Sequence, residues 1–226
     1  MTLTNTDWQA LLLSAQVASL AVLVALPFGF AVACLLHFGR FRGKALLEGL
    51  VNLPLVLPPV VVGYLLLLGL GTQGLGPLLD RFGLSLLFTW YAAVLAATVV
   101  GFPLLVRAIR IGLEGVDPQL IRVSGSLGAT RIDTLCNVIL PLARRSLVAG
   151  GSLMFARSLG EFGATIMIAG NIPGVTQTIP LAIYDYSGMP GGETLAFGLC
   201  MASIVLSLTV LIASEQLMKG RWEAKG

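Results

Sequence analysis

The stretch SGSLGATRIDTLCNVILPL, Ser124–Leu142, is a half-apolar island in the longest polar interruption of a very apolar chain. Ile132, Leu135, Cys136 and Ile139 recur at i, i+3, i+4 and i+7, which predicts an amphipathic helix. Leu127 leads into it, and Gly125, Ser126, Gly128 and Ala129 form a patch of small residues where another backbone could pack closely. Most loops between membrane spans are simply polar. On its residues alone, this segment is either an interfacial helix lying on a membrane or a surface built to touch a partner.

The surrounding chain makes the membrane context plain. Its 226 residues are 56% hydrophobic and only 11% charged, with mean hydropathy +0.91. Soluble domains carry about 25% charged residues, so this chain has too little polar surface to cover a water-soluble globule. The expected fold class is all-α: one polytopic membrane bundle over residues 1–226. Five apolar runs are long enough to cross a bilayer: Ala10–Leu36, Ala45–Leu70, Leu86–Val106, Leu142–Ala169 and Leu195–Leu217. A sixth span would require dividing the stretch Leu142–Tyr186. TNTD before Trp8 is a helix-start signal, with Thr6 and Gln9 spaced as a capping box. No basic region precedes the first run, so it is expected to be retained rather than cleaved.

The basic residues set the orientation. Arg40, Arg42 and Lys44 fall in the first connection, and Arg107, Arg110, Arg122, Arg131, Arg144 and Arg145 in and around the third. Lys219, Arg221 and Lys225 fall in the tail. With five spans these all share one side, which the positive-inside rule makes cytoplasmic. Arg81 alone lies in the opposite connections, and Arg157 falls inside a span. The N-terminus is therefore expected outside and the C-terminus inside, with residues 111–141 as a cytoplasmic loop. The net charge of +3 is no nucleic-acid signal, because the basic residues cluster by membrane side.

Catalytic and cofactor motifs fail on inspection. GLGTQG, Gly69–Gly74, spells a dinucleotide fingerprint but follows a spanning helix, so a turn is the better reading. GRFRGKA, Gly39–Ala45, is one residue short of a phosphate loop and has Ala45 where a magnesium-binding hydroxyl belongs. His37 reads as an interfacial residue. Cys34, Cys136 and Cys200 have no metal spacing and read as small apolar filler. No metal site, cofactor or triad is predicted. A membrane enzyme would need such a constellation near the interface. An ion channel would have no need of a docking helix.

Two spans look interrupted. EGLVNLPLVLPPVVVG places Glu48, Asn52, Pro54, Pro58 and Pro59 in the second, which is either a static kink or a cavity-lining helix. FARSLGEFGATIMIAGNIPG places Arg157 and Glu161 four apart, on one helical face, among Gly160, Gly163 and Gly170. Ionisable groups at membrane depth face a bundle interior or a water path. The pair is either a structural brace or the border of an anion's route. TQTIPLAIYDYSG, Thr176–Gly188, is amphipathic and too short for a span, as a re-entrant or gating piece would be.

The opening stretch resembles the cytoplasmic "EAA" loop of ABC importer permeases, which reads E-A-A, three residues, G, nine residues, I-x-L-P. Gly128, Leu140 and Pro141 match, Val138 is a conservative replacement, and Arg122, Val123 and Ser124 stand where E-A-A belongs. LVNLPLVLPPVVVGYLLLLGLG and SLGEFGATIMIAGNIPGVTQTIPLAIYDYSG look like the molybdate permease subunits and, more distantly, the sulfate permeases. This resemblance implies a homodimer in the cell inner membrane, bound to two cytoplasmic ATP-binding subunits and fed by an extracytoplasmic oxyanion-binding protein. The chain itself would be no enzyme, the partner subunit hydrolysing ATP. It implies ATPase coupling through Arg122, Ser124, Gly125, Gly128, Ala129, Leu140 and Pro141. Asn52, Arg157, Glu161 and Thr165 are the pathway candidates, as polar groups that can hand on a tetrahedral dianion. Sulfate or tungstate in place of molybdate stays open.

Overall fold

The computed structural model describes residues 4–219 other than Leu84. Arg221 and Lys225 of the charge pattern lie outside the described residues. Within them every regular element is helical. Helix α1, Asn5–Phe38, starts two residues before the predicted box: Thr4 Oγ1 accepts the Asp7 N–H, and the Asp7 carboxylate accepts the Thr4 N–H at 2.7 Å. Asp7 outcompetes Gln9 for this role because it is also held from outside the helix. Tyr186 donates its hydroxyl to the same carboxylate at 2.8 Å.

The second run, expected as one span, is two helices. α2, Lys44–Val56, and α3, Pro59–Leu70, meet at an angle of 116°. Consecutive Pro58 and Pro59 lack N–H donors, and a residue before proline is driven out of the helical region. Leu57 and Pro58 are accordingly extended, with ψ of 143° and 135°. Pro54, by contrast, stays inside α2. The glycine-rich GLGTQG forms tight turns, with the Leu75 N–H on the Gly69 carbonyl at 2.7 Å, and leads into the short α4, Gly76–Arg81.

Helix α5, Trp90–Glu114, begins after the predicted Leu86, because Thr89 is extended at the helix start and its hydroxyl donates back to the Leu86 carbonyl at 2.6 Å. Then come α6, Pro118–Ser126, and α7, Arg131–Thr134, which runs through a π turn at Leu135–Ile139 into α8, Leu140–Leu159. The fourth run therefore starts before the predicted Leu142. It also breaks at Gly160–Phe162 instead of reaching Ala169 in one piece. The remaining helices are α9, Gly163–Ala169, α10, Ile179–Ser187, and α11, Glu193–Lys219. Among the described residues four helices are long and apolar enough to cross a membrane, or five if the bent α2–α3 pair counts as one span.

Helix α5 is the centre of the bundle, flanked by α1 and α8. Small residues set these contacts. Gly29 of α1 faces Leu105, while Gly101, Ala108 and Gly112 of α5 face Met154, Gly150 and Ser146 of α8. The order of those pairs makes α5 and α8 antiparallel. Ala18, Ala21, Ala25, Ala92, Ala93, Ala96 and Ala97 are fully buried. In lipid no hydrophobic force draws helices together, so close van der Waals approach over small side chains does. The chain direction gathers Leu36 of α1, Glu48 of α2 and Glu114 of α5 around one cavity, at the arginine-rich end. At the other end the Ile179 N–H bonds to Ser14 Oγ at 2.8 Å, beside the Asp7–Tyr186 bond. Burial first, then the Asp7 bond, raises the Tyr186 phenol above its ordinary value, which keeps it the donor.

The tightest crossing joins α3 to α9. A Cβ on Gly63 would lie 2.7 Å from the Ala164 Cα, and one on Gly163 would lie 3.0 Å from the Val60 backbone nitrogen. Backbone cannot yield as a flexible side chain does. Gly63→Ala should therefore cost about 1–3 kcal/mol by overpacking, read as a lowered thermal midpoint of the purified protein. Gly49→Ala, in α2 with nothing within 4 Å of the new methyl, should be neutral or stabilise by about 0.5–1 kcal/mol. Equal midpoints for the two variants would remove the crossing from its structural role.

Candidate functional site

Two places carry the polar residues that the sequence marks. The first is the break between α8 and α9. Arg157 Nη1 lies 2.9 Å from Glu161 Oε2, and Glu161 Oε1 accepts the Ala164 N–H at 2.8 Å. The guanidinium sits off the hydrogen-bonding axis of Oε2, so that contact is chiefly coulombic. One carboxylate thus neutralises a charge with one oxygen and caps a half-helix with the other. Glu161 is 2% exposed and Arg157 31%, so the pair is open on its arginine side. Ser158 Oγ is buried there without a hydrogen-bond partner, and Thr165 is fully buried one turn further on.

The break is walled by the other broken span. Gly163 rests on Pro59 and Val60, and Ala164 and Met167 rest on Gly63, so α3 and α9 start side by side and run parallel. Above them Phe162 meets Tyr184 of α10 at 5.3 Å between ring centres. The Phe88 N–H bonds to the Ile168 carbonyl at 2.8 Å, which satisfies one carbonyl at the end of α9. Asp185 of α10 accepts from Asn171 Nδ2 and Gln177 Nε2, both at 2.8 Å, and so ties the intervening loop down. The segment Thr176–Gly188 is indeed no span. It is one short helix with Ile179, Leu181 and Ala182 buried.

Arg157, Glu161 and Thr165 therefore stand together at this break. Asn52 does not join them. Its Nδ2 donates to the Glu48 carbonyl at 2.7 Å, and its side chain lines a separate cavity with Glu48, Arg107 and Arg110 at the arginine-rich end.

The second place is the α6–α7 element. Asp117 caps α6 by accepting the Gln119 N–H at 2.8 Å, with Pro118 in the first turn. Gly128 ends it: φ is +84°, its N–H bonds to the Gly125 carbonyl, and the Ala129 N–H bonds to the Ser124 carbonyl. This pair of bonds is a Schellman motif, which needs a left-handed residue at this position. A Cβ on Gly128 or on Gly125 would meet nothing within 4 Å, so Gly128 is required for its φ and not for close approach within this chain. Ser124 Oγ and Thr134 Oγ1 share a hydrogen bond of 2.9 Å that clamps α6 to α7. Thr130 and Asp133 form a capping box at the start of α7.

The predicted stripe Ile132, Leu135, Cys136, Ile139 does not hold as one face. Ile132 and Cys136 are exposed while Ile139 is buried. The π turn is the reason: the Leu140 N–H reaches back five residues to the Leu135 carbonyl, and the added width changes the register. Pro141 follows directly. It lacks an N–H and would crowd the carbonyl four residues back in a regular helix, which the wider turn relieves. Pro141 therefore continues a helix instead of opening one. The exposed apolar face consists of Leu120, Val123, Leu127 and Ile132, with Leu127 82% exposed. Arg122 lies on the surface of α6. Helix α6 went unread in the sequence, although Asp117 followed by Pro118 is a helix-start signal.

Residues 25–217 match the family described as binding-protein-dependent transport system inner membrane component. The chain is 52% identical to the molybdenum transport system permease protein ModB of Escherichia coli K12, over the full length of both chains. It is 49% identical to the protein of that name from Haemophilus influenzae, over 93% of each. In fold it superimposes on a chain of a bacterial alginate ABC transporter in complex with a pentasaccharide-bound periplasmic protein. The TM-score is 0.74 at 15% identity, with 96% of this chain and 79% of that one covered.

The double role of Glu161 makes a graded prediction. Arg157→Gln leaves a buried carboxylate with its cap but without its charge partner. It should cost about 2 kcal/mol, below the full buried-pair value because Arg157 is partly exposed. Glu161→Ala should cost more than Glu161→Gln, since only the amide can still accept the Ala164 N–H. The Arg157→Gln/Glu161→Gln double variant should be more stable than Arg157→Gln alone. Chemical unfolding of the purified variants decides the order. A double variant less stable than the single would mean that the charge is solvated.

Proposed function

The chain belongs to the binding-protein-dependent transport system inner membrane component family, and on that premise we propose that it forms the membrane path of an ATP-driven molybdate importer. The full-length identity of 52% to a molybdenum permease carries the substrate. The chain is a transport subunit. On this reading ATP is hydrolysed by separate cytoplasmic subunits, and an extracytoplasmic binding protein delivers the oxyanion. Two copies build the path together, with the exposed Val60, Val61, Tyr64 and Leu65 of α3 among the surfaces that a second copy covers. The arginine-rich end faces the cytoplasm and α10 faces out, which leaves the N-terminus outside.

The coupling element is residues 111–141. Its apolar face of Val123, Leu127 and Ile132 docks on the ATPase, with Arg122 at its border and Ser124, Gly125, Gly128 and Ala129 giving it a fixed, close-fitting end. Leu140 and Pro141 carry the displacement into α8. One observation supports this above others: α7, the π turn and α8 are continuous from Arg131 to Leu159, and Arg157 lies in the last turn of α8. A movement imposed at the docking face thus arrives at the α8–α9 break. Irregular backbone at membrane depth is tolerated where it is buried in protein or lines a water-filled cavity. Arg157, Glu161, Ser158 and Thr165 supply the polar groups there. A dianion meets one half-compensated arginine, which attracts it without holding it. Nothing accelerates unless the ATPase binds the two states of the bundle with different affinity.

Two measurements test this reading. With Cys136 changed to serine, Val175→Cys should react with an impermeant thiol reagent on intact cells and Leu127→Cys should not. The opposite pattern would invert the orientation. Gly128→Val places a β-branched residue at positive φ, a strain of about 1–2 kcal/mol, and should reduce ATPase co-purification and molybdate uptake while the membrane bundle stays intact. Gly128→Asn, which tolerates that φ, should keep most of both. Normal uptake by the valine variant would return α6–α7 to an interfacial helix.

A further inference from the structure

At the arginine-rich end, a polar cavity of about 220 Å³ opens between α1, α2 and α5. Its charged lining is balanced: Arg107 and Arg110 against Glu48 and Glu114. Arg110 Nη1 pairs with Glu48 Oε1, which ties α5 to α2. The Arg110 Nε is buried and has no hydrogen-bond partner. Among the described residues Arg107 and Glu114 form no ion pair, and neither makes a side-chain hydrogen bond. Each is exposed at the cavity mouth. One guanidinium and one carboxylate are thus presented together with nothing in the chain to answer them.

Directly above, the same three helices form an apolar groove of about 400 Å³, walled by Ala25, Phe28, Val51, Pro54, Val99 and Phe102. The two spaces adjoin: Val51 and Phe102 line the groove, while their neighbours Asn52 and Pro103 line the cavity. Along α1 the distance from Leu36 to Phe28 is roughly 12 Å at the helical rise. The groove therefore runs from the charged end toward the middle of the bilayer, and Phe28 and Leu50 are exposed along it.

We propose that this is a binding site for one phospholipid whose headgroup carries both a phosphate and a primary ammonium. The phosphate accepts from Arg107, the ammonium donates to Glu114, and one acyl chain fills the groove. Basic pockets between spanning helices at the cytoplasmic side hold lipid headgroups, and here the two carboxylates decide which kind. A purely anionic headgroup would engage Arg107 but leave Glu114 without a counter-charge. The transported dianion would meet the same two carboxylates, and it has no tail to fill the groove. A zwitterion brings its own cation. The bound lipid would fill the wedge between α2 and α5 beside the Glu48–Arg110 pair and so hold the bent α2–α3 span against the core. This site is independent of the transported substrate.

The test is native mass spectrometry of the transporter, purified with its ATPase and exchanged into equal parts of phosphatidylethanolamine, phosphatidylcholine and phosphatidylglycerol. The wild type should retain one phosphatidylethanolamine per chain in preference to the other two. Retention should fall about fivefold in Arg107→Gln, the weight of one basic contact at the membrane surface, and also in Val99→Trp, which fills the groove and leaves the charges alone. Glu114→Gln should abolish the preference over phosphatidylglycerol. Equal retention of all three lipids, a wild-type preference for phosphatidylglycerol, or unchanged retention across the variants would overturn the assignment. So would release of the lipid by excess molybdate or sulfate, which would make the cavity a small-oxyanion site.

Discussion

Backbone groups at membrane depth have no water to turn to, so every interruption of a spanning helix must be answered by protein. This chain interrupts two spans and answers both in one joint. Glu161 supplies a cap to the Ala164 N–H and a counter-charge to Arg157. The bend at Leu57–Pro58 is closed by the Leu57 N–H on the Leu53 carbonyl and by the Val61 N–H on the Pro58 carbonyl. The half-helices that result, α3 and α9, lie backbone against backbone over Gly63 and Gly163. Each break is stable because the other is there. The ring contact of Phe162 with Tyr184 and the bond from Phe88 to Ile168 attach the outer elements to the same joint.

Much of this was legible in the residues. Apolar run lengths pointed to an all-helical membrane bundle, which has four spans or five with the bent pair, and the Arg157–Glu161 spacing pointed to an ion pair. In the sequence Gly128 reads as a place for close packing, whereas its φ of +84° ends α6. What the sequence hid has physical causes. Pro58–Pro59 announces a kink but no angle, and the 116° is set by how α3 seats on α9, a contact between residues a hundred positions apart. The amphipathic stripe from Ile132 to Ile139 fails because a π turn changes the period that the stripe assumes. Asn52 falls in a spanning segment like the other candidates. Only the tertiary fold separates it from them, by turning α2 toward the ends of α1 and α5. Asp7 was passed over as a cap because its second partner, Tyr186, lies far along the chain.

Small residues do in this bundle what large ones do in a soluble core. The seam of α1, α5 and α8 sets alanine and glycine against a few buried large side chains, Leu105, Ile109 and Met154 among them, while many other bulky residues are exposed. That arrangement lets helices approach closely, and it leaves many leucines, valines and phenylalanines on the outside of the bundle. An exposed leucine on α11 therefore has no special meaning. The exposed Leu127 and Ile132 do, because they lie at the charged end on an element with its own caps at both ends.

The unbroken run from Arg131 to Leu159 has a mechanical consequence. Its 29 residues form a rod roughly 40 Å long at the helical rise. Such a rod, gripped toward its inner end by the Gly150 and Met154 contacts with α5, has the geometry of a lever with a short inner arm. A given sweep at Ile132 is reduced, not magnified, by the time it reaches Arg157. Geared down in this way, a large stroke at one end would become a fine, forceful adjustment at the other.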